Sequence, residues 1–135
     1  MRFLLDTNIC IYLIKGHPLQ VVERFQTTPL GRVLMSVVTY AELRHGVERC
    51  LPDDRAAANE ALQRFIERVP VLPFDKDAAK SYGVQAAAVR DRSRNAMDRL
   101  IAAHAVSAGV TLVTNNEVDF KDYPHLAVEN WTVPL

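Results

Sequence analysis

Three apolar residues, Phe3-Leu4-Leu5, run straight into Asp6-Thr7-Asn8, and a second apolar run, Ile9 to Ile14, begins at once. Consecutive apolar positions mark a strand covered on both faces rather than one that lies on a surface. Such a strand, followed without a linker by a helix, leaves few architectures open. It also holds its last side chain with little freedom, so the Asp6 carboxylate is set in a fixed place. The rest of the chain can be read for what Asp6 faces.

Four more short apolar runs resemble the first: Val33–Met35, Val71–Leu72, Thr111–Val113 and Ala127–Val128. Helical patterns lie between them. Val38 to Arg49 carries Ala41, Leu43 and Val47. Asp53 to Val69 puts Ala58, Ala61, Leu62, Phe65, Ile66 and Val69 on one stripe. Asp75 to Arg90 repeats the pattern with Ala78, Ala79, Tyr82, Ala86 and Val89, and Ala96 to Ala108 ends at Gly109, a C-cap signal. Short two-sided strands interleaved with helices predict an α/β fold with a mostly parallel sheet.

With 135 residues, 49% of them hydrophobic, the chain is read as a single domain over 1–135. A chain of that size buries roughly two thirds of its unfolded surface and needs no disulfide staple. Cys10 and Cys50 are expected to be reduced, core-facing thiols. No run reaches the roughly 18 apolar residues of a membrane span, and Arg2 is followed by too few apolar residues for a signal peptide. The expectation is a cytoplasmic protein. The formal net charge is +0, so an anionic partner must be held by a local basic patch or by metal ions.

In βα units, strand C-termini and helix N-termini share one edge of the sheet, where ligands bind. Asp6, Ser36, Glu42, Asp98 and the Thr114-Asn115-Asn116 turn with Glu117 and Asp119 all fall there. Each acid also has a plainer reading. Thr39-x-x-Glu42 and Asn95-x-x-Asp98 have the form of capping boxes, and Asp6 is placed to cap the first helix. The two readings are compatible. Three carboxylates converging on one edge repel one another unless a cation joins them, and an aspartate-rich site without His or Cys suits Mg²⁺ or Mn²⁺.

These residues resemble a known family. Phe3 to Tyr12 (FLLDTNICIY) looks like the opening of a PIN domain, more narrowly of the VapC toxins of bacterial toxin–antitoxin pairs. The resemblance continues through Ser36 to Glu48 (SVVTYAELRHGVE), Asp98 to Ala105 (DRLIAAHA), Leu112 to Asn116 with Asp119-Phe120, and Val128 to Trp131. The blocks are in family order and span essentially the whole chain. One departure is Arg92-Ser93-Arg94-Asn95, where relatives often have a Gly- and Pro-containing turn.

The resemblance implies a three-layer α/β/α sandwich around a sheet of about five strands. It also implies a Mg²⁺-dependent endoribonuclease, with Mn²⁺ as a possible substitute. Asp6, Glu42 and Asp98 match the three principal acids and metal ligands. Asp119 is carried over as a fourth catalytic acid, with Asn116 as its polar neighbour. Thr7, Asn8, Ser36 and Thr114 are expected to orient the acids or waters. Water would attack the phosphodiester in line, leaving a 5′-phosphate and a 3′-hydroxyl. Arg44, Arg92, Arg94 and Arg99 are candidate RNA phosphate contacts, against a reading of the 90–99 cluster as a solvated connection. The partners implied are structured RNA, often tRNA, a second copy in a homodimer, and a small VapB-type antitoxin that plugs the acidic site.

His104, on an Ala-rich helix, reads as a packed core histidine, and Trp131 as packing the C-terminal segment onto the domain. A receiver domain shares the size and alternation, but Asp6 lacks an acidic neighbour and no Lys follows Ala127–Val128. A dehalogenase-like phosphatase would need Asp where Asn8 stands. A PIN-like module that binds without cutting is the other alternative, opposed by the joint presence of Asp6, Glu42 and Asp98.

Overall fold

The computed structural model describes residues 1–90 and 96–134. Five strands, β1 (Phe3–Leu5), β2 (Val33–Ser36), β3 (Val71–Leu72), β4 (Thr111–Val113) and β5 (Val128–Glu129), form one sheet in the order β3-β2-β1-β4-β5. Every neighbouring pair is parallel, with Leu4 opposite Leu34 on one side and Leu112 on the other. The first strand of the chain is thus the middle of the sheet. This order excludes the receiver alternative, whose doubly wound sheet runs 2-1-3-4-5.

Alternation along the strands divides the core in two. Leu5, Val33, Met35 and Val113 pack with Ile9, Val21, Phe25, Leu43, Leu62, Phe65 and Trp131. On the other face, Leu4 and Leu112 pack with Val89, Ile101, Ala102, Ala105, Phe120 and Tyr123. The first face is covered by α1 (Thr7–Lys15), α2 (Leu19–Thr27), α3 (Val37–Glu48) and α4 (Pro52–Arg68). The second is covered by α5 (Lys76–Ala88), α6 (Ala96–Ala108) and the single turn α7 (Glu117–Phe120). The three-layer sandwich expected from the resemblance is therefore present.

Several local expectations need correction. Helix α2 has no counterpart in the sequence reading, although Val21 and Phe25 have helical spacing and both are buried. The last strand is Val128–Glu129 rather than Ala127–Val128: Ala127 is exposed and only its carbonyl joins the sheet, accepting from Leu112 N–H at 2.9 Å. Helix α3 buries Thr39, Leu43 and Val47 and leaves Ala41 exposed. Helix α5 buries Ala78, Gln85 and Val89 while Ala79 faces solvent. Gln85 enters that core because its amide donates to the Pro124 carbonyl at 2.9 Å. Gly109 ends α6 as expected: it sits at φ 66°, and Val110 N–H reaches back to the Ala105 carbonyl at 3.1 Å.

Cys10 is buried, Cys50 half-buried, and both are free thiols. Burial and the nearby Asp6 charge push the Cys10 thiol well above its ordinary range, which leaves it inert. No helix among the described residues is long and apolar enough to cross a membrane.

Candidate active site

Asp6 follows β1 directly, and its backbone N–H donates to the Val113 carbonyl of β4 at 2.9 Å. Its extended backbone (φ −74°, ψ 173°) makes it the N-cap of α1, and Oδ1 accepts from Ile9 N–H at 2.9 Å. The capping reading of Asp6 is thus correct, and so is its position at the centre of the sheet edge. The Thr114 hydroxyl bonds its carboxylate and in turn accepts from Asn116 N–H at 3.0 Å. The turn after β4 therefore steadies the acid after β1.

Glu42 is not in a capping box. The N-cap of α3 is Ser36, six residues earlier, so Thr39 and Glu42 both lie inside the helix. Glu42 is instead held from α1, where Thr7 Oγ1 donates to its Oε1 at 2.6 Å. Asp98 lies in the first turn of α6. The cap suggested for α6, Asn95, lies outside the described residues.

Asp6, Glu42 and Asp98 line one cleft of about 150 Å³ together with Thr7, Asn8 and Ile101. Burial is the main cause that raises Asp6 to a pKa of about 6, and the like charges of Asp98 and Glu42 add to it against the two hydrogen bonds. A buried carboxylate whose ionised form is disfavoured, crowded by two more acids, is a centre that a cation would relieve. Among the described residues no three His, Cys, Asp or Glu side chains form a closed metal cage. The cleft itself is lined by carboxylates, a hydroxyl and an amide with no His or Cys, which is the donor chemistry of a hard divalent cation. The donor set fits such a cation.

The PIN-domain family model matches residues 3–126. The chain belongs to the PIN-domain family. It is 37% identical over 134 residues to the tRNA(fMet)-specific endonuclease VapC of Shigella flexneri, covering 98% of this chain and 99% of that one. Among solved structures it resembles VapBC-1 from nontypeable Haemophilus influenzae, with a TM-score of 0.88 and 33% identity over 98% of this chain and 100% of that chain. It also resembles the DNA-bound VapBC of Salmonella typhimurium, with a TM-score of 0.87 and 35% identity over 97% and 98% of the two chains. At this identity and coverage it is a VapC-type PIN domain.

The other residues expected at this PIN-domain site are placed unevenly. Asn8 is exposed and lines the cleft, and Thr7 is half-buried beside it. Asp119 is not among the cleft-lining residues; it sits on α7, where Asn116 Nδ2 donates to its Oδ2. Ser36 does not turn toward the acids. Alternation along β2 aims it at the α5–α6 face, where its hydroxyl accepts from Val38 N–H at 3.1 Å and meets His104 Nδ1 at 2.7 Å. Arg44 is half-buried and its Nη1 donates to Asn59 Oδ1 at 2.5 Å, which ties α3 to α4. Arg99 is half-buried on α6. Arg92 and Arg94, and the departure from the family turn at 92–95, lie outside the described residues.

Three supporting residues escaped the sequence reading. Tyr12 Oη accepts from Asn115 Nδ2 at 3.0 Å, joining α1 to the turn after β4. Thr39 is fully buried, with its hydroxyl 3.5 Å from that of Thr7. Glu129 accepts from Trp131 Nε1 at 3.0 Å and pairs with Arg24, whose guanidinium also lies 5.5 Å from the centre of the Trp131 ring. A polar residue within a helical stripe, such as Thr39, is the signal that pointed to the second of these. The Tyr12–Asn115 and Arg24–Glu129 pairs join residues more than 100 positions apart, which no local pattern reveals.

A second cavity, about 580 Å³, opens between α1, α3 and α4. It is lined by Ile11, Ile14, Leu43, Val47 and Leu62 among others and shares Thr7, Asn8 and Glu42 with the acidic cleft. An apolar groove therefore leads directly to the acids.

Proposed function

We propose that this PIN domain, acting as a single unit over residues 1–135, is an endoribonuclease toxin. It hydrolyses RNA phosphodiester bonds with Mg²⁺, for which Mn²⁺ substitutes, and a cognate VapB-type antitoxin neutralises it. The observation that carries the reading is the single cleft shared by Asp6, Glu42 and Asp98, which come from three separate elements. When bound, a divalent cation lowers the pKa of water and offsets charge on the phosphate.

The protein's own residues do the positioning. Asp6 is fixed from two sides, by Ile9 N–H and the Thr114 hydroxyl, so one carboxylate is preset before any ligand arrives. Thr7 occupies Oε1 of Glu42, so the other oxygen is the one left to face a ligand. Asp98 closes the cleft from the opposite layer of the sandwich. Asp119, with Asn116, stands as a fourth polar group beyond the cleft, suited to a water or the leaving side of the substrate. No nucleophilic side chain is required: water attacks in line and leaves a 5′-phosphate and a 3′-hydroxyl.

The name of the Shigella flexneri relative makes tRNA the first substrate to test. Phosphate contacts fall to Arg99 and to Arg92 and Arg94, whereas the bond to Asn59 gives Arg44 a structural role. The apolar groove that runs into the acidic cleft supports an antitoxin segment that lies along α1, α3 and α4 and ends in a basic side chain on the acids. A homodimer in the cytoplasm completes the reading.

The test is expression of the chain alone beside Asp6→Asn and Asp98→Asn, with purified proteins incubated with tRNA in Mg²⁺ and in EDTA. Growth arrest and cleavage by the wild type only, abolished by EDTA and leaving 5′-phosphates, are expected. Cleavage that persists in EDTA, or a 2′,3′-cyclic phosphate product, would overturn the mechanism. Equal toxicity of all three proteins would overturn the function.

A further inference from the structure

His104 is 2% exposed and sits on α6, the helix that carries Asp98. Its Nδ1 lies 2.7 Å from the hydroxyl of Ser36, which is 0% exposed and caps α3, the helix that carries Glu42. The imidazole also hydrogen-bonds the backbone of Pro73, after β3, and stands edge-on to Phe74 with ring centres 5.2 Å apart. Proline has no N–H, so Pro73 can only accept. The neutral ring has one donor and one acceptor. With Nε2–H given to Pro73, Nδ1 is left to accept the Ser36 hydroxyl proton. Ser36 then offers a lone pair to Val38 N–H, the first turn of α3, at 3.1 Å. The chain Val38 N–H, Ser36 O–H, His104 Nε2–H, Pro73 carbonyl is satisfied in one direction throughout.

From this geometry we infer that His104 is a positioning residue: as an Nε2–H imidazole it fixes the rotamer of Ser36, and so the start of α3, which sets Glu42 against Asp6 and Asp98. The role rests on the nuclease reading above, because it acts through the acidic cleft without lining it. Polar side chains that orient the groups holding a metal are worth about 10- to 100-fold in affinity or activity when removed. The relay differs from simple packing because it depends on an acceptor at Nδ1 and on Ser36. The charged groups that face it are Asp75, Asp77 and Arg2, which line the small cavity beside the ring with Ser107.

A double-mutant cycle on the full chain, read by Mn²⁺ affinity in a direct binding titration and by tRNA cleavage, separates the possibilities. His104→Leu keeps the volume and removes the acceptor; it is expected to weaken Mn²⁺ binding and cleavage about tenfold or more. His104→Asn, whose Oδ1 stands where Nδ1 was, is expected to return both to within a few-fold of wild type. In a Ser36→Ala background His104→Leu is expected to add little. Thermal melts of each variant report folding. Effects of His104→Leu and Ser36→Ala that multiply independently, or failure of His104→Asn to recover while still folded, would overturn the proposal. A wild type that binds Mn²⁺ but cuts no RNA overturns the nuclease reading alone, and the cycle on Mn²⁺ affinity still decides the role of His104. A wild type that binds no Mn²⁺ overturns both.

Discussion

Thr7 and Glu42, 35 residues apart, are joined by a hydroxyl-to-carboxylate hydrogen bond of 2.6 Å. The bond links the first turn of α1 to the middle of α3 and holds the Glu42 carboxylate at the cleft. A charged acceptor makes it one of the stronger hydrogen bonds in the site. Thr7→Val keeps the shape and removes the donor. It is expected to lower cleavage about 10- to 100-fold, while Thr7→Ser stays within a few-fold of wild type. Steady-state rates in saturating Mg²⁺ check this, and a fully active Thr7→Val would show that the bond only packs the helices together.

Asp6 gives a prediction in which function and stability oppose each other. Its proton leaves the unfolded chain near 3.8 but leaves the folded protein near 6. Between those values the folded state holds more protons, so stability falls as pH rises. The penalty is absent below 3.8 and complete above 6, and amounts to about 3 kcal/mol. Asn keeps the cap on Ile9 N–H without the charge. In EDTA at pH 7, Asp6→Asn is therefore expected to be the more stable protein by about 2–3 kcal/mol, with the gain vanishing near pH 3.5. Urea unfolding at the two pH values measures it, and a destabilised Asp6→Asn at pH 7 would contradict the assignment.

Cation binding to the folded chain alone must raise its melting temperature. At a concentration ten times the dissociation constant the gain is about 1.4 kcal/mol. Mg²⁺ or Mn²⁺ is expected to raise the wild-type midpoint by a few degrees, and to move Asp98→Asn much less. Thermal scans across a metal titration show the difference, which disappears if the acids of the cleft do not share the ion.

The indole of Trp131 is 0% exposed, donates to Glu129 and meets the Phe3 ring edge-on at 5.5 Å. Trp131→Ala is expected to cost about 3–5 kcal/mol. Trp131→Phe costs less, because the ring contact survives and Arg24 still pairs with Glu129. Because both variants remove the single tryptophan of the chain, far-UV circular dichroism across a urea titration compares their unfolding with that of the wild type.

What the sequence made legible follows from the range of the interactions. The limits of strands β1, β3 and β4 are legible because continuous apolar runs bounded by polar residues are local signals. So is the edge that collects Asp6, Glu42 and Asp98, since strand-then-helix order fixes it. Helix α2 is poorly marked in the sequence, because only Val21 and Phe25 carry its buried stripe while Leu19 and Glu23 are exposed. The capping-box form of Thr39-x-x-Glu42 misleads, because nothing local tells that Ser36 already caps the helix. Ser36, ending a strand, reads as facing the acids. Only the two-residue alternation of β2, together with a histidine 68 positions away, turns it to the other face.

The position of β1 at the middle of the sheet has a consequence for how such a chain is made. Its partners on the two sides begin at Val33 and Thr111. The N–H of Asp6 waits for the carbonyl of Val113, and the Thr114 hydroxyl that steadies its carboxylate comes one residue later. A growing polypeptide therefore carries its principal acid from the outset but lacks the pieces that aim it until the ribosome has released nearly the whole length. A nuclease of the kind proposed above would in this way lack its assembled site for most of its synthesis.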